Sequence, residues 1–275
     1  MSEGILTVKN GTFGYENKIV LSKVNFSVTK GTLVGLVGPN GIGKSTLLET
    51  LRGLLPLMAG EITLEGENIA KLSEKAFAKK AAYLRQHNQL PFAYTVKEVV
   101  AAGRYPYLDW WQQKDKNGDE LVNECMDCLQ VRKLQNRPVN QLSGGQRQRV
   151  LLAKVLAQQT AILFLDEPTA DLDFVFTEEL FRFAQLLSQA GKTVIMAVHE
   201  LNLAYKYCSE ILLLEQGGLL ATGQPEKVMT EENLSASYGV PVSVQSNIVT
   251  GGIDVSAPGQ ISEEIQKELL LKICK

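Results

Sequence analysis

One nine-residue stretch constrains this chain more than any other: GPNGIGKST, Gly38 to Thr46. It fits G-x-x-x-x-G-K-[ST]. Ahead of it lies TLVGLVG, a short apolar run ending in glycine, which predicts a buried strand. Behind it the spacing predicts a helix from Lys44 to about Arg52–Gly53, where glycine can cap its end. Placed between a strand and a helix, the pattern describes a phosphate cradle. Its glycines let backbone N–H groups wrap phosphate oxygens, Lys44 brings a positive charge to the β- and γ-phosphates, and Ser45 offers a hydroxyl to Mg²⁺. The plainer alternative is a strand–turn–helix corner that binds nothing.

Composition narrows the class. The 275 residues are long enough for one large domain or two modest ones, and 45% hydrophobic with 21% charged residues is ordinary for a chain with a real core. A net charge of −2 offers no basic field to nucleic acid or to an anionic membrane surface. No apolar run approaches eighteen residues. The start, MSEGILTV, lacks the basic region and long apolar stretch of a secretion signal, so the cytoplasm is expected. Cys125 and Cys128 form a C-x-x-C within a predicted helix, far from Cys208 and Cys274, which suits packing thiols better than zinc or redox chemistry.

ILTVKNGTFGY, VNFSV and GEITLEGENI read as strands with little helix between them and predict a small antiparallel sheet. SEKAFAKKA reads as a short helix and AAYLRQ as a strand. Residues 95–157 are helical in character and predict a helical subdomain inserted in an α/β chain. From Thr160 strands and helices alternate, with helices over about Phe174–Gln189 and Leu201–Tyr207, which argues for a mainly parallel core sheet with helices on both faces. The tail from Val240 holds two short strand-like pieces around TGG, then an amphipathic pattern over Ser262–Ile273.

Other residues carry chemistry. AILFLDEP drives a strand through the core and delivers Asp166 to its carboxyl end, where open parallel sheets bind ligands. Asp166 can hold a metal shell, and Glu167 beside it can polarise an attacking water. VIMAVHE repeats the geometry and ends at His199, one of two histidines; a lone histidine is otherwise a packed or surface residue, as His87 is read. Tyr15 ends a strand and either packs or stacks on a base; Gln86 ends another and could reach metal or water. LSGGQRQR, Leu142 to Arg149, places two glycines before a predicted helix over Gln146–Ala157, a second anion-ready helix start in one chain.

GPNGIGKST, YLRQ, LSGGQRQR, LFLDEPTADLD and AVHE stand in the order and spacing of an ABC transporter ATPase subunit, and the chain from about Ile5 to Tyr238 resembles that family. The resemblance implies an ABC-type phosphate-loop NTPase over residues 1–240 with a C-terminal extension over 241–275. It implies ATP and Mg²⁺ as ligands. It also implies two copies paired head to tail, each nucleotide lying between the phosphate loop of one and the LSGGQ of the other, which would explain the two anion sites. Tyr15 then matches the aromatic on adenine; Gly38, Pro39, Asn40, Gly41, Ile42, Gly43, Lys44, Ser45 and Thr46 match the cradle. Ile42 stands where serine or alanine is commoner. Gln86 matches a metal- and partner-sensing glutamine; Ser143, Gly144, Gly145 and Gln146 match the γ-phosphate contacts across the dimer; Asp171 lies in the interface-crossing loop, Ala170 to Asp173. Asp166 matches the metal-shell aspartate, Glu167 the catalytic glutamate and His199 the switch histidine.

TVKEVVAAGRYPY resembles ATPases of iron–siderophore, haem and vitamin B12 importers. That implies multi-helix permease subunits, a substrate-binding protein beyond them, and a place on the cytoplasmic face of the membrane. The alternatives are an importer ATPase for a metal ion or oxyanion, or a soluble non-transport ABC ATPase; the long coiled-coil insertion of repair members and the doubled domain of translation members are missing from this sequence. The aromatic run GRYPYLDWW suggests a permease-docking surface with at least one of Arg104, Tyr107, Trp110 and Trp111 exposed.

Overall fold

The computed structural model describes residues 4–16, 18–85, 94–108, 118–170, 172–258, 267 and 270–273. Strands β1 (Leu6–Tyr15), β2 (Lys18–Val28) and β3 (Leu33–Val37) come first, then helix α1 (Lys44–Leu51) and strands β4 (Ala59–Leu64) and β5 (Glu67–Asn68). Helix α2 (Glu74–Lys80) runs into β6 (Ala81–Leu84), followed by α3 (Val96–Ala101), α4 (Gly118–Cys128) and α5 (Gly144–Ala157). Alternation then sets in with β7 (Ile162–Asp166), α6 (Phe174–Gln189), β8 (Thr193–Ala197), α7 (Leu201–Tyr207), β9 (Glu210–Glu215) and β10 (Gly218–Gly223). Helices α8 (Pro225–Val228) and α9 (Glu231–Tyr238) and strands β11 (Ser243–Asn247) and β12 (Gly252–Ser256) follow.

The larger sheet has the order β10-β9-β3-β8-β7-β6, parallel throughout except for β10, which returns antiparallel to β9. The order β2-β1-β4-β5 makes the antiparallel sheet expected from the first strands. Side-chain alternation sorts the parallel strands between two cores. Ile162 and Phe164 of β7 join Leu47 and Leu48 of α1 and Leu6 and Phe13 of the antiparallel sheet. Leu163 and Leu165, between them in sequence, join α5, α6 and α7 on the other face. Both faces of β7 are thus dry, which is why ILFL reads as one unbroken apolar run.

Helices α3, α4 and α5 pack on one another. Two capping boxes start this group: Thr95 with Glu98 on α3, and Ser143 with Gln146 on α5. The Val240 tail forms the hairpin β11–β12, which packs on α7. Of the amphipathic stretch over 262–273, residues 267 and 270–273 are described and are helical.

The turn over 102–107 bears on the expectation that at least one of Arg104, Tyr107, Trp110 and Trp111 is exposed, and removes Arg104 from those candidates. Arg104 is 8% exposed and donates to the carbonyl oxygen of Ala157 at 2.7 Å and to Gln159 Oε1 at 2.9 Å. Its guanidinium stacks on half-buried Tyr107 at 4.1 Å, whose hydroxyl donates to the Gln158 carbonyl at 2.9 Å. These carbonyls are the orphan acceptors at the end of α5, where the helix dipole also favours a cation. A Cβ on Gly103 would sit 2.2 Å from the Lys154 carbonyl oxygen, so the turn can approach α5 only as glycine. Arg104 is therefore a helix clamp and not a docking residue; Tyr105 is the exposed aromatic of the turn, and Trp110 and Trp111 lie outside the described residues. Arg104→Ala should lower unfolding stability by roughly 1.5–3 kcal/mol, the range for hydrogen bonds to a charged group. Urea titration would show this as an earlier midpoint at unchanged slope; an unmoved midpoint would show that the clamp contributes nothing.

Candidate functional site

The chemistry-bearing residues gather at the carboxyl ends of β3, β8 and β7, three successive parallel strands. The glycine-rich loop leaves β3 at Gly38 and enters α1 at Lys44. Gly43 has φ +117°, and a Cβ there would sit 2.7 Å from Val20 Cγ1, so the loop lies pressed on β2. Asn40 and Gly41 are exposed at its crest, Pro39 is half-buried, and Ile42 packs against the core beneath.

Lys44 is 4% exposed, and its ammonium donates to the carbonyl oxygens of Gly38 (2.7 Å) and Pro39 (3.2 Å). Burial holds its pKa below that of an ordinary lysine, while the nearby carboxylates of Glu167 and then Asp166 oppose the shift. Buried Thr46 donates to the Tyr15 hydroxyl at 3.2 Å, and that hydroxyl donates to Glu49 Oε2 at 3.4 Å. Tyr15 is thus anchored to α1 by its tip while 44% of the residue remains exposed.

Asp166 ends β7, is 4% exposed, and accepts hydrogen bonds from Ser45 Oγ at Oδ1 (3.0 Å) and Tyr83 at Oδ2 (2.9 Å). Burial raises its pKa, and the two hydrogen bonds pull the other way. Ser45 Oγ and Asp166 Oδ1 are hard oxygen donors side by side at the cradle, a fit for Mg²⁺. Among the described residues no group of three or more His, Cys, Asp or Glu converges on one point. A Mg²⁺ ion here would therefore take its other ligands from phosphate and water, its usual arrangement in nucleotide sites.

The register of β7 against β8 pairs Asp166 with Ala197, so the residues that follow each strand emerge together. Glu167 Oε1 lies 2.7 Å from His199 Nε2. Glu167 adopts φ +44°, a left-handed backbone costing a non-glycine residue about 1–3 kcal/mol, a strain characteristic of functional loops. Two bonds lock this region. Buried Thr169 donates to Glu200 Oε2 at 3.2 Å, tying the loop after Glu167 to the residue after His199. Gln148 Nε2 donates to the Pro168 carbonyl at 2.7 Å, tying the same loop to α5.

The start of α5 faces outward. Ser143 and Gly144 are exposed, Gly145 and Gln146 half-buried. Phe176 closes on Gly145, and Arg149 stacks on Phe176 at 4.3 Å. Helix α5 packs on α3, α4 and β6, whereas α1 packs on β1 and β7, so the two anion-ready helix starts stand on different parts of the molecule. Gln86 and Asp171 lie outside the described residues.

The family model for ABC transporters matches residues 21–170, over half of the chain. The chain belongs to the ABC transporter ATP-binding family. This ABC ATPase is 38% identical over 227 residues to the achromobactin transport ATP-binding protein CbrD of Dickeya dadantii, covering 82% of this chain and 84% of that protein. It is 38% identical over 252 residues to the hemin import ATP-binding protein HmuV of Rhodococcus jostii, covering 91% and 83%. Its fold superposes with a TM-score of 0.81 and 27% identity on a chain from an inward-facing transporter described as of the metal-chelate type, covering 95% of this chain and 99% of that one. No helix among the described residues of this ABC subunit is long and apolar enough to cross a membrane.

Four residues of the ABC site escape sequence reasoning: Tyr83, Gln148, Thr169 and Glu200. Only Tyr83 carried a signal, a hydroxyl inside the otherwise apolar strand AAYL. The others act through partners distant in sequence.

Proposed function

We propose that this ABC ATPase hydrolyses Mg²⁺–ATP at the junction of cradle and strand ends to drive import of metal chelates of the iron–siderophore, haem or cobalamin kind. The observation that carries the chemistry is the 2.7 Å contact of Glu167 with His199 beside the Ser45–Asp166 pair. The names of the relatives, achromobactin transport and hemin import, support the cargo class.

Each residue has a role in this reading. Tyr15 stacks on the base. Gly38 to Thr46 wrap the phosphates, and desolvated Lys44 leaves its loop carbonyls for the β- and γ-phosphates. Ser45 and Asp166 would hold Mg²⁺, which would supply positive charge to the phosphates there, and Gln86 is assigned to the same shell. Glu167 orients the attacking water and accepts its proton. Without nucleotide His199 Nε2 holds that carboxylate, and with nucleotide bound it turns its N–H to the γ-phosphate.

A second copy completes the site. The exposed start of α5, Ser143 to Gln146, meets the γ-phosphate held by the other subunit, and Asp171 lies on the crossing loop. The membrane permease docks in a cleft of about 610 Å³ walled by Arg52, Leu54, Phe77, Tyr83, Arg85 and Lys154, with a substrate-binding protein acting beyond it. Nucleic acid has no part. In the source organism, deleting the gene should abolish uptake of labelled ferric siderophore, haem or cobalamin. Restoring the wild-type gene, but not one carrying a dead ATPase, should restore it. Unchanged uptake of every chelate tested would overturn the cargo, and purified protein without Mg²⁺-dependent hydrolysis would overturn the chemistry.

A further inference from the structure

Tyr83 stands between two places that the reading above treats separately. One edge of this half-buried residue lines the cleft. The guanidinium of Arg52, another wall residue, lies over its ring at 4.4 Å. Its hydroxyl reaches inward and donates to Asp166 Oδ2 at 2.9 Å, while Ser45 occupies Oδ1 at 3.0 Å. The carboxylate that faces the metal position thus has one oxygen held from the cradle side and one from the cleft side. The phenol hydroxyl has one proton to give, and in this arrangement it gives it to Oδ2.

We propose that Tyr83 is a positioning residue that fixes the Asp166 carboxylate for Mg²⁺ and transmits to it the state of the cleft through Arg52. The inference rests on the Mg²⁺–ATP reading of the site. Its physical basis is that ligand orientation depends on the groups that hydrogen-bond the ligand from behind, and losing one such group typically weakens metal binding tenfold or more. A partner that draws Arg52 off the ring or presses on the ring would turn the hydroxyl away from Oδ2. By linkage, binding at the cleft and binding at the metal position must then influence each other equally.

The test uses the purified full chain and a fluorescent ATP analogue, titrated in EDTA and then with Mg²⁺. Tyr83→Phe removes only the hydroxyl and leaves the ring under Arg52. Binding in EDTA should match wild type, because Lys44 and the cradle are untouched. The Mg²⁺ concentration needed for half of the metal-dependent tightening should rise about tenfold. Arg52→Leu should raise it about threefold when Tyr83 is present and add nothing when combined with Tyr83→Phe, the coupled outcome of a double-mutant cycle. Unchanged Mg²⁺ dependence in Tyr83→Phe would overturn the positioning role. An equal effect of Arg52→Leu in both backgrounds would overturn the transmission. A wild-type chain that binds the analogue without any Mg²⁺ response would overturn the metal reading itself, and this inference with it.

Discussion

Glu167→Gln should reduce ATP turnover by about a hundredfold or more, the contribution of a positioned acid–base group, while leaving nucleotide binding intact. The amide keeps the shape of the carboxylate and its place beside His199 but cannot take a proton from water. Ser45 bonds Asp166, and Lys44 bonds the Gly38 and Pro39 carbonyls; these contacts do not run through Glu167 and are retained. Binding and chemistry therefore separate: ATP enters, the two copies close on it, and the closed form persists. Size exclusion with ATP should show a doubled mass for the variant and a mostly single mass for wild type under turnover. Near-wild-type hydrolysis by the variant would remove Glu167 from the role of base.

Mixing two disabled variants should restore part of what each has lost. Lys44→Ala removes the ammonium of its own cradle and the hydrogen bonds it gives to the Gly38 and Pro39 carbonyls. That variant alone should bind ATP at least about tenfold more weakly, a loss of 1.4 kcal/mol or more. Ser143→Arg places a bulky cation on the exposed start of α5 and removes the Ser143 cap of that helix, a loss of about 1 kcal/mol, while leaving the variant's own cradle untouched. Neither variant should dimerise alone. In a mixed pair one composite site carries both lesions and the other carries none, so, with both variants made in the Glu167→Gln background that holds ATP, ATP-dependent dimers should reappear. If the mixture stays monomeric where Glu167→Gln alone dimerises, the head-to-tail arrangement is wrong.

What could be read from the sequence follows the range of the interactions. The cradle was legible because strand, loop and helix are contiguous and every group in it acts on its neighbours. The strand ends at Asp166 and His199 were legible because an apolar run that stops at a polar residue marks where a buried strand leaves the core. The Glu167–His199 contact was not, since it depends on the register that sets Asp166 beside Ala197. The burial of Arg104 was not legible for the same reason. Its residue type and aromatic neighbours suit an exposed interface as well as a buried clamp, and its acceptor on Ala157 lies 53 positions away. Thr169 and Gln148 gave no sign, because a hydroxyl or amide earns its meaning from the carboxylate or carbonyl it happens to meet.

Helix α5 has one consequence for how the molecule moves. It runs for 14 residues, about 21 Å at 1.5 Å per residue. Near its far end Lys154 and Gln158 line the cleft, and the turn with Gly103 and Arg104 grips its last carbonyls. Its near end carries Ser143, and within its second turn Gln148 holds the loop after Glu167. A rod pinned in this way is a lever arm. A tilt of about 5° over that length displaces one end by about 2 Å relative to the other, more than enough to break a hydrogen bond. On the proposed reading, permease subunits pushing on the cleft would need to supply only that small rotation to open or close the phosphate contact of Ser143 at the other end of the helix.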